Sequence, residues 1–146
     1  MIRLATLEDL ESICSIEQQF DAEAFSKSSL RRFIMNSQTV VLHSDDVVLG
    51  YATLLSRKNS KQARLYSIAI AQQYQGRRLG LILMHALEDI AVSNGYETIT
   101  LEVSWANKRA IQLYTRMEYK EVGILDNYYK DGTSAIKMKK VIAKPK

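Results

Sequence analysis

Two periodicities of apolar residues alternate along this chain, one near 3.6 and one of two, and together they divide it into helices and strands. IRLA reads as a short opening strand. Leu7, Leu10, Ile13, Cys14 and Glu17 then fall at helical spacing, which predicts a helix from Leu7 to about Phe20 with Thr6 as its cap. FDAEAF breaks the repeat, and Ser26 stands where it can cap a second helix containing SSLRRFIM. TVVLHS and VVLGYATLLS, joined at Asp45 and Asp46, predict a hairpin. RKNSKQ is a polar connection, and ARLYSIAIA is apolar at nearly every position, as in a strand buried on both faces.

A long helix follows from about Leu79 to Ser93, with Leu79, Leu83, Ala86, Leu87, Ile90 and Ala91 as its apolar stripe. Gly95 suits a left-handed stop after it. TITLEV is the next strand, so strand, helix and strand form a right-handed crossover with parallel strands. NKRAIQLYTRM predicts another helix, and YKEVGIL and TSAIKMKKV two last strands. The order β-α-α-β-β-β-α-β-α-β-β predicts an α/β fold. Its sheet is mixed and mostly antiparallel, of about six or seven strands, with helices on both faces and a central parallel β-α-β unit. No repeat, linker or low-complexity tract interrupts it, so a single domain over residues 1–146 is expected.

Composition narrows the function classes. At 47% apolar and 25% charged residues the chain reads as a soluble globular protein. No apolar run is long enough to span a bilayer, and MIRLATLEDLESI lacks the apolar core of a signal peptide, so a cytoplasmic location is expected. Cys14 is the only cysteine, which leaves no internal disulfide and no cysteine metal cluster. Its place on the helical stripe marks it as a packed thiol, and His43 and His85 read as surface residues. Net charge is +4, but five lysines lie in the final KMKKVIAKPK, so the rest of the chain carries 15 basic against 16 acidic residues. This reads as a solvated basic tail, with no basic stripe interleaved with aromatics and hence no nucleic-acid partner.

The candidate chemistry begins at YQGRRLG, residues 74–80. A glycine-containing loop between a strand and a helix N-terminus presents unpaired backbone N–H groups and the positive end of the helix dipole to one point. Gly76 and Gly80 allow close backbone approach, as a phosphate or pyrophosphate requires. The alternative is an exposed turn whose arginines serve solubility. The loop is neither a Walker loop, lacking GK[ST], nor a dinucleotide fingerprint, its glycines being wrongly spaced.

IAIAQQYQGRRLGLILM, LEVSWANKRAIQLYTRMEY and NYYKDGTSAIKMKK together resemble the GNAT family of acetyl-CoA-dependent N-acetyltransferases. Within it they look most like the protein N-terminal enzymes, including those that modify a ribosomal-protein alanine. The resemblance runs over nearly the whole chain and is strongest from Arg64 to Lys139. It implies that Gln75, Gly76, Arg77, Arg78, Leu79 and Gly80 wrap the coenzyme pyrophosphate, with Arg78 standing where the family's first motif glycine falls and Gly76 supplying some of the lost flexibility. Backbone N–H groups of Ile68, Ala69 and Ile70 are expected to hold the acetyl carbonyl and the pantetheine arm. The motif Asn-x-x-Ala-x-x-Leu-Tyr is complete as Asn107, Ala110, Leu113 and Tyr114, with Asn107 as a coenzyme contact. It ends in Glu118-Tyr119 instead of the family's Gly-Phe.

The same resemblance implies Glu102 as general base, acting through a water, and Tyr114 as the acid that protonates the departing thiolate. It places Tyr128 and Tyr129 over the first residues of a bound peptide and Phe25 on the opposite wall, while Trp105 lines the site or covers its edge. The implied acceptor is a protein or peptide N-terminus, a ribosomal protein being one candidate, whose α-amine titrates at about 7.7–8.0 against about 10.4 for lysine. No metal, nucleic acid or membrane is implied, and a monomer or weak homodimer is expected. A small-molecule amine or lysine side chain as acceptor is the alternative, and a catalytically idle acetyl-CoA-binding module a further one.

Overall fold

The computed structural model describes residues 1–20 and 26–143. Seven strands form one sheet in the order β1-β2-β3-β4-β5-β7-β6. They are β1 (Ile2–Leu4), β2 (Thr39–Ser44), β3 (Val47–Ser56), β4 (Gln62–Ile70), β5 (Thr98–Ser104), β6 (Lys120–Leu125) and β7 (Ala135–Val141). Four α-helices accompany them: α1 (Leu10–Phe20), α2 (Lys27–Met35), α3 (Leu79–Ser93) and α4 (Lys108–Arg116). The pair β4–β5 is parallel, whereas β1–β2, β2–β3, β5–β7 and β6–β7 are antiparallel. Element order and the parallel β4-α3-β5 unit follow the periodicities. No described helix is long and apolar enough to cross a membrane.

By contact the chain divides into two compact units, Met1–Leu55 with Ser67–Leu87, and Ser56–Tyr66 with Glu88–Lys146. In the first, Leu10, Ile13, Ile16, Leu30, Ile34, Val41 and Tyr51 form a buried cluster against which Cys14 packs. Burial raises the Cys14 thiol, as for an inert packed cysteine. Leu7, expected on the same stripe, is exposed, because Leu7–Asp9 form a 3₁₀ turn that shifts the register before α1. Thr6 is the N-cap residue, as expected, and forms a capping box with Asp9: its backbone N–H donates to Asp9 Oδ2 at 2.8 Å, and Arg3 grips the same carboxylate at 2.8 and 3.0 Å. Gly50 is sterically required, since a Cβ there would stand 2.7 Å from the Ala69 carbonyl oxygen.

In the second unit Ala63, Leu65, Ile99, Leu101, Val103, Ile136 and Met138 are buried on the strands, with Tyr114, Met117 and Tyr119 around α4. Glu88 takes a hydrogen bond from Tyr119 Oη at 2.9 Å and an ion pair from Lys140 Nζ at 2.8 Å. Gly95, at φ +86°, closes α3 as expected: Tyr96 N–H donates to Ala91 O and Gly95 N–H to Val92 O, both at 3.0 Å. Two expectations need correction. Tyr66–Ile70 are half-buried, not buried on both faces, since the ladder with β5 ends at Leu65. Lys137, Lys139 and Lys140, counted with the solvated basic tail, lie in β7, where Lys137 and Lys139 are paired on both edges and Lys140 with β5 alone.

Candidate active site

The parallel ladder fixes the position of Glu102. It runs from Gln62 opposite Thr98 to Leu65 opposite Leu101 and stops, so Glu102 is the first β5 residue beyond it. Its side chain is only 13% exposed, and the Arg64 guanidinium accompanies it: Nη2 lies 2.9 Å from Oε1, and Nε donates to Oε2 at 3.3 Å. Such two-pronged pairs fix orientation as well as charge. Burial alone would lower the Arg64 pKa, but the bond and charge of Glu102 outweigh it and leave it raised. Nη2 also donates to Tyr128 Oη at 3.1 Å, and the guanidinium lies 5.5 Å from the Tyr66 ring. Arg64 was absent from the expectations; its signal was a lone cation in an apolar strand just before the parallel crossover.

Tyr128 and Tyr129 meet edge to face, centroids 5.0 Å apart, in the turn between β6 and β7. Tyr129 N–H donates to Thr133 O, and Gly132 N–H returns to Tyr129 O, which holds the turn. Burial, the neighbouring Tyr128 and the Glu102 charge raise the Tyr129 phenol. Tyr114 is 6% exposed, and burial, with Tyr129 second, pushes it up to about 12. Glu102, Arg64, Tyr128, Tyr129 and Tyr114 are thus linked by bonds or charge within one unit. Trp105 is exposed and bound through its backbone N–H to Ser134 O. Phe25 lies outside the described residues.

The end of α4 explains how Tyr114 is held despite Glu118. Glu118 adopts φ +73°, Tyr119 N–H donates to Tyr114 O at 2.9 Å, and Glu118 N–H to Thr115 O at 3.0 Å. This is a Schellman closure, completed by the 6.0 Å edge-on contact of the Tyr114 and Tyr119 rings. Asn107 caps the other end, its Oδ1 accepting from Ala110 N–H at 3.1 Å.

In the other unit, Ile68–Ile70 end β4 half-buried, and Gln75 Nε2 donates back to Ile70 O at 3.1 Å. A 3₁₀ turn over Gln72–Tyr74 follows, tied to Gln19 by Gln72 N–H at 2.8 Å. Gly76 sits at φ +85° with open space where a Cβ would stand, and Arg78 at φ +61°. Arg77 lies 5.8 Å from the Tyr74 ring. The helix bonds begin with Ile82 N–H to Arg78 O, leaving the N–H groups of Leu79, Gly80 and Leu81 at the free end of α3. A left-handed residue, open space at Gly76 and three such N–H groups fit an anionic pyrophosphate.

The pattern of the Acetyltransferase (GNAT) family matches residues 5–119, which span both units, and the chain belongs to that family. It is an acetyl-CoA-dependent N-acetyltransferase. A [ribosomal protein bS18]-alanine N-acetyltransferase of Salmonella typhimurium is 31% identical over 131 residues, 88% of this chain and 86% of the relative. The crystal structure of the ribosomal-protein-S18-alanine N-acetyltransferase from Escherichia coli superposes with a TM-score of 0.86 at 28% identity, covering 100% of this chain and 96% of that one. An aminoglycoside 6'-N-acetyltransferase complexed with coenzyme A shares the fold at 16% identity, with a TM-score of 0.86 over 100% of this chain and 99% of that one.

Proposed function

We propose that the acceptor is the α-amine at the N-terminus of a protein or peptide. The observation that carries this reading is the Arg64 guanidinium, which joins the carboxylate at the end of the ladder to a tyrosine of the β6–β7 turn. A base and a peptide-covering segment held by one cation suit an acceptor that extends past its reacting amine. The relatives named for alanine N-acetylation of a ribosomal protein support a protein acceptor, with a ribosomal protein one candidate.

Bound acetyl-CoA supplies the acetyl group as an activated thioester, so the chain's residues need only place and deprotonate the amine. Residues 75–80 hold the pyrophosphate through backbone N–H groups, and the amide of Asn107 remains available to the coenzyme once its oxygen caps α4. The N–H groups of Ile68–Ile70 hold the acetyl carbonyl and stabilise the negative charge that develops on its oxygen. Glu102 takes the proton of the attacking amine, through a water. Little driving force is needed, because an α-amine at about 7.7–8.0 is partly neutral at physiological pH and a lysine at about 10.4 is not. Tyr114, which keeps its proton up to about 12, donates it to the departing sulfur. Tyr128 and Tyr129 cover the first residues of the peptide, with Phe25 proposed on the opposite wall.

The test is a peptide with a free N-terminus and one internal lysine, incubated with acetyl-CoA beside the same peptide blocked at its N-terminus and a panel of polyamines and aminoglycosides. Fragmentation mass spectrometry is expected to place the acetyl group on the α-amine, with no reaction of the blocked peptide. Acetylation of the lysine, or turnover of small amines alone, contradicts the reading.

A further inference from the structure

The register of β4, β5, β7 and β6 sets cations in a row on one face of the sheet. Directly paired residues share a face, and so do alternate residues of a strand. Arg64 is opposite Thr100, Glu102 opposite Lys137, Thr100 opposite Lys139, and Lys120 opposite Lys139. Arg64, Lys137, Lys139 and Lys120 therefore lie on the face that carries Glu102. Glu102 is committed to Arg64, and no carboxylate pairs with Lys120, Lys137 or Lys139 among the described residues. The reverse face is arranged differently, for its Lys140 is neutralised by Glu88 at 2.8 Å.

Like charges directly opposite across two strands destabilise a sheet. Lys120 stands directly opposite Lys139, with Lys137 two residues along the same strand, so the sheet carries this unfavourable juxtaposition. The cost is offset when an anionic partner lies across the strands. Neighbouring strands are about 4.8 Å apart, so the distance from β5 across β7 to β6 is about 10 Å, the span of about three extended residues.

We infer that the acceptor is an acidic N-terminus: a peptide whose α-amine lies at Glu102 and whose second to fourth residues carry carboxylates that meet Lys137, Lys139 and Lys120. The inference rests on the proposed peptide acceptor and adds its charge. Arg64 cancels the Glu102 charge, which would otherwise repel such a chain, and its Nη1 is left over from the bonds to Glu102 and Tyr128. The row also steers an acidic chain towards the base before contact, an effect that added salt removes.

The test uses three peptides of equal length that begin with alanine and carry acidic, neutral or basic residues at the second to fourth positions. Their kcat/KM is followed by release of the coenzyme thiol at low and at high salt. The acidic peptide is expected to exceed the neutral one by about tenfold at low salt, mostly through KM, and the difference to shrink at high salt. Lys137→Glu combined with Lys139→Glu is expected to invert the order, and Lys137→Gln with Lys139→Gln to flatten it. A thermal shift with acetyl-CoA identifies the variants that fold and bind coenzyme. Equal rates for the three peptides, or preference for the basic one, overturn the inference and leave the peptide acceptor standing. Turnover of none of the peptides overturns both. A single-stranded oligonucleotide that competes at these lysines more tightly than the acidic peptide reassigns the face to nucleic acid and overturns the inference.

Discussion

Tyr114 carries two demands that a single substitution separates. Its phenol is pushed up to about 12 by burial, so it stays a proton donor at any physiological pH. If Tyr114 is the proposed acid, Tyr114→Phe lowers kcat with little change in peptide KM, the pattern of a contact made chiefly in the transition state. The same variant reports on the titration. An unfolded tyrosine ionises near 10 while the folded one keeps its proton, so the stability present below about pH 10 is lost as pH rises towards about 12. Between about pH 9 and about pH 11, wild type should lose about 1 kcal/mol more than Tyr114→Phe, read from urea midpoints. Unchanged kcat together with equal alkaline losses would remove Tyr114 from both roles. Tyr114 was legible because it closes a sequence motif. Arg64 was not, because its partner lies 38 residues away and the two meet only through the register of a parallel ladder, which periodicity does not reveal.

The loop before α3 and the end of α4 share a feature. Arg78 and Glu118 stand where the family motifs have glycine, and both keep the left-handed backbone, at φ +61° and +73°. A side chain there costs about 1 kcal/mol. Arg78→Gly and Glu118→Gly are each expected to raise stability by about that amount, seen as a higher urea midpoint at unchanged slope. A fall for either would mean that its side chain holds the turn by contacts that outweigh the backbone strain. Helices and strands were readable here because each keeps one apolar period. Caps were readable in part: Thr6 is the N-cap residue expected, but the Asp9 carboxylate that accepts its N–H, and Arg3 that holds that carboxylate, were not foreseen. A cap depends on which side chain a third residue holds, and spacing alone does not specify that.

Across the whole chain, the order of elements followed from the sequence but the order of strands did not. β7 enters between β5 and β6, so the last strand borders the one that bears Glu102. This placement sets Lys137 opposite Glu102 and Lys139 opposite Thr100, on the strand that bears the proposed base. The family pattern crosses both units. The assignment of the base is tested by Glu102→Gln, assayed with acetyl-CoA and a peptide acceptor across pH. The variant should fold, keep its thermal shift with acetyl-CoA and lose roughly 10²–10⁴ in kcat near neutral pH, with the loss shrinking as the amine becomes neutral in alkali. Full activity of Glu102→Gln at neutral pH would contradict the account.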